Sequence, residues 1–191
     1  MGKVIVFVDS ENFLNKVENV LEGEGISRKK INTAKIKLVE LLKTALNEIK
    51  IDEVIFYAAR LHFHEQTPDR SRELIGRQRA LKTELERQGV KFVIAGNVRG
   101  QKVDGKTVFK EKGVDVRLAV DMVSMACDKL ISTAVLCSSD SDLQPAVGEV
   151  KRRGVKVIYL GFEISPNKGL ISTTNRTVLF RSAEIRKSLG I

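Results

Sequence analysis

TAVLCSSDSDLQPAVGEVKRRG, residues 133–154, runs from an apolar β-branched segment (133–140) through two acids, Asp140 and Asp142, into a segment with helical spacing that stops at Gly154. The apolar segment lacks the in–out alternation of a strand with one wet face, which predicts a strand covered on both sides. Four more runs read the same way: VIVFVD (4–9), EVIFYAA (53–59), KFVIAG (91–96) and KVIYLGF (156–162). Helical spacing fills the intervals. TAKIKLVELLKTALNEIK places Ile36, Val39, Leu42, Leu46 and Ile49 on one stripe, and RSRELIGRQRALKTELERQG carries Leu74, Leu81 and Leu85 before a terminating Gly89. DVRLAVDMVSMACDKL adds another helix. Strands alternating with helices predict right-handed crossovers and an α/β fold of three α/β/α layers around a mostly parallel sheet.

The 191 residues, 42 % hydrophobic and 30 % charged, suit one domain over 1–191 with a substantial core. Within it, 97–113 reads as a basic hairpin insertion and 164–191 as a C-terminal tail. No apolar run approaches the ~20 residues needed to span a bilayer, and the opening MGKVIVFVDS lacks the marks of a signal peptide, so no membrane partner and a cytoplasmic location are expected. Cys127 and Cys137 stand without CxxC or Cys/His company, which favours buried thiols over a disulfide or a zinc site. The net charge of +9 favours polyanions. No GxGxxG or GxxxxGK[ST] loop is present, so nucleotide binding through a glycine-rich cradle is not supported.

Open parallel sheets bind ligands beyond the carboxyl ends of their strands, which makes acids at strand ends the residues to follow. Asp9 ends the first strand, followed by Ser10, Glu11 and Asn12, and Asp, Ser and Asn are all ordinary caps for a following helix. Asp140 repeats the pattern, with Asp142 one step into the next helix. Asp115 shares a stripe with Leu118, Met122 and Met125, which points it inward near a helix start. Asp121, about 120° around that helix, flanks the stripe and reads either as a supporting residue or as a salt-bridged surface acid. If Asp9, Asp115, Asp140 and Asp142 converge, only a cation relieves their repulsion, and oxygen-only ligands select Mg²⁺ or Mn²⁺. Such ions serve hydrolysis of a phosphodiester. His62 and His64, in RLHFHEQTP, read as exposed loop histidines.

VDSEN after the first strand, KGVDVRLAVDM at a helix start and SSDSDLQPAV after a later strand, in this order, resemble the NYN domain family of PIN-like ribonucleases. The resemblance covers roughly residues 4–163. It implies a PIN-like fold whose clustered acids bind Mg²⁺ or Mn²⁺ and cleave RNA. By motif position, Asp9, Asp115, Asp140 and Asp142 become the catalytic and metal-site acids, with Asn12 and Asp121 in support. Members often close with an Ala-Asp pair, and Asn175 stands near that place here.

NVRGQKVDGKTVFKEKG (97–113) carries a hairpin signal at Asp104-Gly105 and the cations Arg99, Lys102, Lys106, Lys110 and Lys112. With Arg60 after the second strand, these are the candidate contacts to an RNA backbone. A homo-oligomer stays open. Two other readings compete with a metal-dependent ribonuclease. One is a haloacid-dehalogenase-like phosphatase with Asp9 as nucleophile, although Glu11 stands where that scheme wants a second Asp. The other is a non-catalytic RNA-binding protein on the same fold.

Overall fold

Val6 and Val8 of the first strand face one layer of helices, and Ile5 and Phe7 between them face the other. This two-sided burial explains why the strand segments read as unbroken apolar runs. The computed structural model describes residues 2–65, 67–103 and 106–191, with the side chains of Lys29, 99–103 and 106–111 outside that description. The Asp104-Gly105 turn therefore lies outside the described residues.

The chain runs β1 (Lys3–Asp9), α1 (Ser10–Gly23), α2 (Leu38–Ala45), β2 (Glu53–Arg60), α3 (Pro68–Arg87), β3 (Lys91–Val103), β4 (Lys106–Lys112), α4 (Val114–Cys127), β5 (Ile131–Cys137), α5 (Gln144–Arg152), β6 (Lys156–Phe162), α6 (Lys168–Thr173), β7 (Arg176–Phe180) and α7 (Ser182–Leu189). Single 3-10 turns occupy Arg28–Lys30, Thr33–Lys35 and Ser141–Leu143. The sheet order is β4-β3-β2-β1-β5-β6-β7. Every neighbouring pair is parallel except β3 with β4. The chain steps outward from β1 to β2 and β3, then restarts at β5 on the other side of β1. That reversal opens a crevice at the carboxyl ends of β1 and β5.

One helical layer packs Phe13, Leu42, Leu85 and Ile185 on the sheet, and the other packs Leu118, Met122, Val147 and Val150. Burying each of these side chains contributes roughly 1.5–3 kcal/mol. Beyond Asn97, β3 leaves β2 and pairs only with β4. Gly96 makes the departure possible, because its φ of 72° is left-handed and a Cβ there would collide with the Lys112 carbonyl oxygen.

Several expectations shift. The strand read as 133–140 ends at Cys137, which frees Ser138–Asp140 as a loop. The helix read across 33–50 shortens to Leu38–Ala45, because the segment ahead of Ile36 forms a 3-10 turn while Ile36 remains buried. Leu74 is 40 % exposed, so of the three leucines read on that stripe α3 buries Leu81 and Leu85 but not Leu74. Cys137 is buried as expected, but Cys127 is exposed, because it lies on the side of α4 opposite Leu118 and Met122. His62 is exposed and His64 half-buried, its backbone N–H donating to the Ser71 hydroxyl at 3.1 Å. The segment 164–191, read as a tail, contributes α6, β7 and α7. β7 pairs in parallel with β6, a five-residue edge strand with only Phe180 fully buried, which did not announce itself in sequence.

Candidate active site at the β1 and β5 strand ends

β1 stops at Asp9 because the residue serves two elements. Its backbone is still extended, while its carboxylate caps α1 by accepting from the Asn12 backbone N–H at 3.2 Å. The second oxygen accepts from the Ser138 hydroxyl at 3.1 Å, across the crevice from the end of β5. Asp9 is 7 % exposed, so a cap on the surface is not its situation. Burial pushes its pKa up, the two hydrogen bonds pull it back in part, and the charges of Glu11 and Asp140 raise it further. Both hydrogen-bond donors are neutral, so neither balances an ionised carboxylate.

The β5 loop is pinned from three sides. Asp140 caps the 3-10 turn Ser141–Leu143, one oxygen accepting from the Asp142 N–H at 2.9 Å, and its own N–H donates to the Ser138 hydroxyl at 3.2 Å. Asn12 accepts from the Ser139 N–H at 2.9 Å, and Asn167 donates to the Ser139 carbonyl at 2.9 Å. The Tyr159 hydroxyl meets the Ser139 hydroxyl at 3.1 Å and accepts from the Asn167 N–H at 3.0 Å. Sequence reading passed over Ser138, Tyr159 and Asn167. Asn167 ahead of a short helix carried a cap signal, but nothing local announced its contact with the β5 loop.

Asp115 reaches the same edge by another route. Lys112 pairs with Asn97 and Asn97 with Arg60, three residues past Tyr57, the partner of Asp9. The start of α4 therefore stands at the carboxyl end of the sheet, with half-buried Asp115 in its first turn, where an acid also suits the helix dipole. Asp142 is exposed, within the 3-10 turn that Asp140 caps. Asp121 turns elsewhere: its carboxylate accepts from the buried Tyr57 hydroxyl at 3.1 Å and from Arg117 Nε at 2.8 Å. Of its two sequence readings, the salt-bridged one describes these contacts.

Among the described residues, no three His, Cys, Asp or Glu side chains form a group ready to hold a metal ion. The acids share one edge of the sheet, and the negative charge of Asp140 is felt at Asp9, where it helps raise the carboxyl pKa. The donor chemistry is nevertheless that of a hard cation. Mg²⁺ keeps several waters and is commonly held by one or two carboxylates together with substrate phosphate, a demand that a pair meets.

Arg60 and Lys112 are exposed on this edge and form no ion pair among the described residues. His62 Nε2 approaches Asn97 Oδ1 between them at 3.2 Å. The side chains of Arg99, Lys102, Lys106 and Lys110 lie outside the described residues. Asn175 is remote from the crevice, since it exchanges hydrogen bonds with Val157 at the start of β6. Beside Ser10 and Glu11 opens a groove of about 880 Å³, floored by Phe56, Ala58 and Phe92, with Lys30 and Arg77 among its lining.

No helix among the described residues is long and apolar enough to cross a membrane. No curated protein matches the chain. A crystal structure of a protein of unknown function from Vibrio parahaemolyticus is similar, with a TM-score of 0.57, 19 % identity and 93 % of each chain covered. At that identity the likeness is one of fold, and it agrees with a PIN-like α/β architecture. The NYN domain family model matches residues 3–180, from the first residue of β1 to the last of β7. With nearly all of its length inside that match, the chain belongs to the NYN domain family.

Proposed function

We propose that this protein is a metal-dependent ribonuclease acting at the carboxyl ends of β1 and β5. Membership of a nuclease-like family supports the reaction class. The observation that carries the reading is Asp9, a buried carboxylate with neutral bonding partners and an acidic neighbour, placed where the strand order reverses. A buried acid paired only with neutral donors is costly when ionised, and a divalent cation offsets that cost.

In this reading Asp9 and Asp140 hold Mg²⁺ or Mn²⁺, Asp115 and Asp142 complete the site from the helix and the loop, and Asn12 keeps the β5 loop in place. When bound, such an ion lowers the pKa of a water and neutralises charge on a phosphate. The protein's own contribution is positional. One Asp140 oxygen is taken by the Asp142 N–H and both Asp9 oxygens keep spare lone pairs, so each acid has acceptor capacity left for an ion, while Arg60 and Lys112 offer charge to the flanking phosphates. Arg99, Lys102, Lys106 and Lys110 stand as further candidate phosphate contacts from their place in the sequence alone. In the hydrolysis, a water oxygen bonds to phosphorus, one bridging P–O bond breaks, and the departing oxygen gains a proton.

The test is RNA cleavage in Mn²⁺ by the wild type, Asp9→Asn and Asp140→Asn. Loss of at least about 100-fold in each variant is expected. Equal, metal-independent activity in all three would defeat the reading. Tight RNA binding without turnover in any divalent ion would leave an RNA-binding protein on a nuclease fold.

A further inference from the structure

Tyr159 is fully buried on β6, in the core layer of Val147, Val157 and Leu170. Packing alone would be served by phenylalanine, because a buried phenol is costly unless its oxygen and its proton both find partners. Here both do. The oxygen accepts from the Asn167 N–H at 3.0 Å, and 3.1 Å away lies the Ser139 hydroxyl, within reach of the phenol proton. Room for that reach comes from Gly161, two residues on along the same face of the strand. A Cβ at 161 would collide with the hydroxyl oxygen and Cζ of Tyr159. Gly161 has no left-handed φ, so it supplies space and not backbone freedom, and a glycine inside a strand marks such a close approach. The ring therefore lies over Gly161, toward the carboxyl end of β6, and delivers its oxygen to the β5 loop.

That loop is held at Ser139, each of whose polar groups meets a different element. The N–H goes to Asn12 near the start of α1, the carbonyl to Asn167 ahead of α6, and the hydroxyl to Tyr159. The residues on either side of Ser139 belong to the site: Ser138 donates to Asp9, and Asp140 follows. The hydrogen bonds of Asp140 itself, to the Ser138 hydroxyl and the Asp142 N–H, stay within the loop and move with it. The place of its carboxylate is thus set through Ser139. We propose that Tyr159 is a positioning residue of the site: acting through Ser139, it fixes where the Asp140 carboxylate stands relative to Asp9 and so sets the affinity for the divalent ion, an inference that rests on the ribonuclease reading. A pair of carboxylates binds an ion well when both are already in place, because ordering a loop on binding subtracts from affinity.

Mn²⁺ titrations of the full chain test the link, read as the half-saturating concentration for RNA cleavage and, without RNA, as the rise in melting temperature. Tyr159→Phe should need at least about tenfold more Mn²⁺ in both. Ser139→Ala removes the other hydroxyl at a half-buried loop position, so it should give a like shift with little loss of metal-free stability. Because the two hydroxyls form one link, the double variant should go no further than either alone. A tyrosine with a merely structural role would lower the metal-free melting temperature and leave both midpoints where the wild type has them. Should Tyr159→Phe fail to fold, Ser139→Ala decides. Midpoints unchanged in Ser139→Ala, or shifts that add in the double variant, overturn the inference while the ribonuclease reading stands. A wild type that neither cleaves RNA with Mn²⁺ nor is stabilised by it overturns both.

Discussion

Asp9 and Asp121 are two inward-turned acids on the same side of the sheet, and their company differs. Asp121 faces a guanidinium and a phenol hydroxyl, so its charge is balanced inside the fold. Asp9 faces a backbone N–H and a serine hydroxyl, with Glu11 and Asp140 adding repulsion. Burial alone does not distinguish a structural acid from a functional one. The charge of the nearest partner does, because an acid with its own cation has no need of an external one.

The sharpest way to break this contrast is activity. Asp140→Asn should lower RNA cleavage by at least about 100-fold, whereas Asp121→Asn, which keeps an acceptor for Tyr57, should stay within a few-fold of wild type. Similar losses in both, read in one Mn²⁺ assay, would erase the distinction. Stability should reverse the order. Asp121→Ala leaves the buried Tyr57 hydroxyl without its acceptor and should cost about 1–3 kcal/mol in denaturant unfolding. The Tyr57 pKa is raised by burial and by Asp121, so the phenol remains a donor at any pH of interest and this cost should not vary near neutrality.

Asp9 supplies a pH test with a definite sign. Its folded pKa lies above the unfolded value near 3.8, so the folded chain keeps a proton that the unfolded chain has already released. Stability therefore falls as pH rises from that value through the folded pKa, and stays lower above it. Asn at this position can keep the cap and the Ser138 contact without ionising. Asp9→Asn should melt higher than wild type at neutral pH, by roughly 2–4 °C for each kcal/mol relieved, and the gap should close in acid. Added Mn²⁺ should raise the wild type more than the variant. The smallest effect belongs to Lys129, which ends α4 with a left-handed φ of 56° where glycine is usual. Lys129→Gly relieves steric strain but frees the unfolded chain, so a net change within about 1 kcal/mol is expected in thermal melts.

Much of this was legible in residue order. Unbroken apolar runs marked buried parallel strands, Gly89 and Gly154 marked helix ends with φ values of 82° and 81°, and Asp9 and Asp140 were found because an acid at the end of a buried strand is out of keeping with its surroundings. β7 was missed because a short, half-buried edge strand needs only modest β-propensity and takes its pairing from β6. Asn12 was expected only in a supporting role, and its amide oxygen supports by holding the Ser139 backbone. The exposure of Val116 and Val120 on α4 was hidden too, since apolar spacing alone does not say which of two apolar faces meets the sheet.

Sequence by itself determined the α/β class and the acids at the ends of the first and fifth strands, because periodicity and local composition are properties of neighbouring residues. Only the tertiary structure decided which acid meets a cation, which loop is pinned by Asn12, Tyr159 and Asn167, and which side of α4 is left bare. Those facts depend on residues far apart in the chain, brought together by the parallel crossovers, and the partner's charge at each meeting point separates the acid neutralised within the fold from the acid we propose for the site.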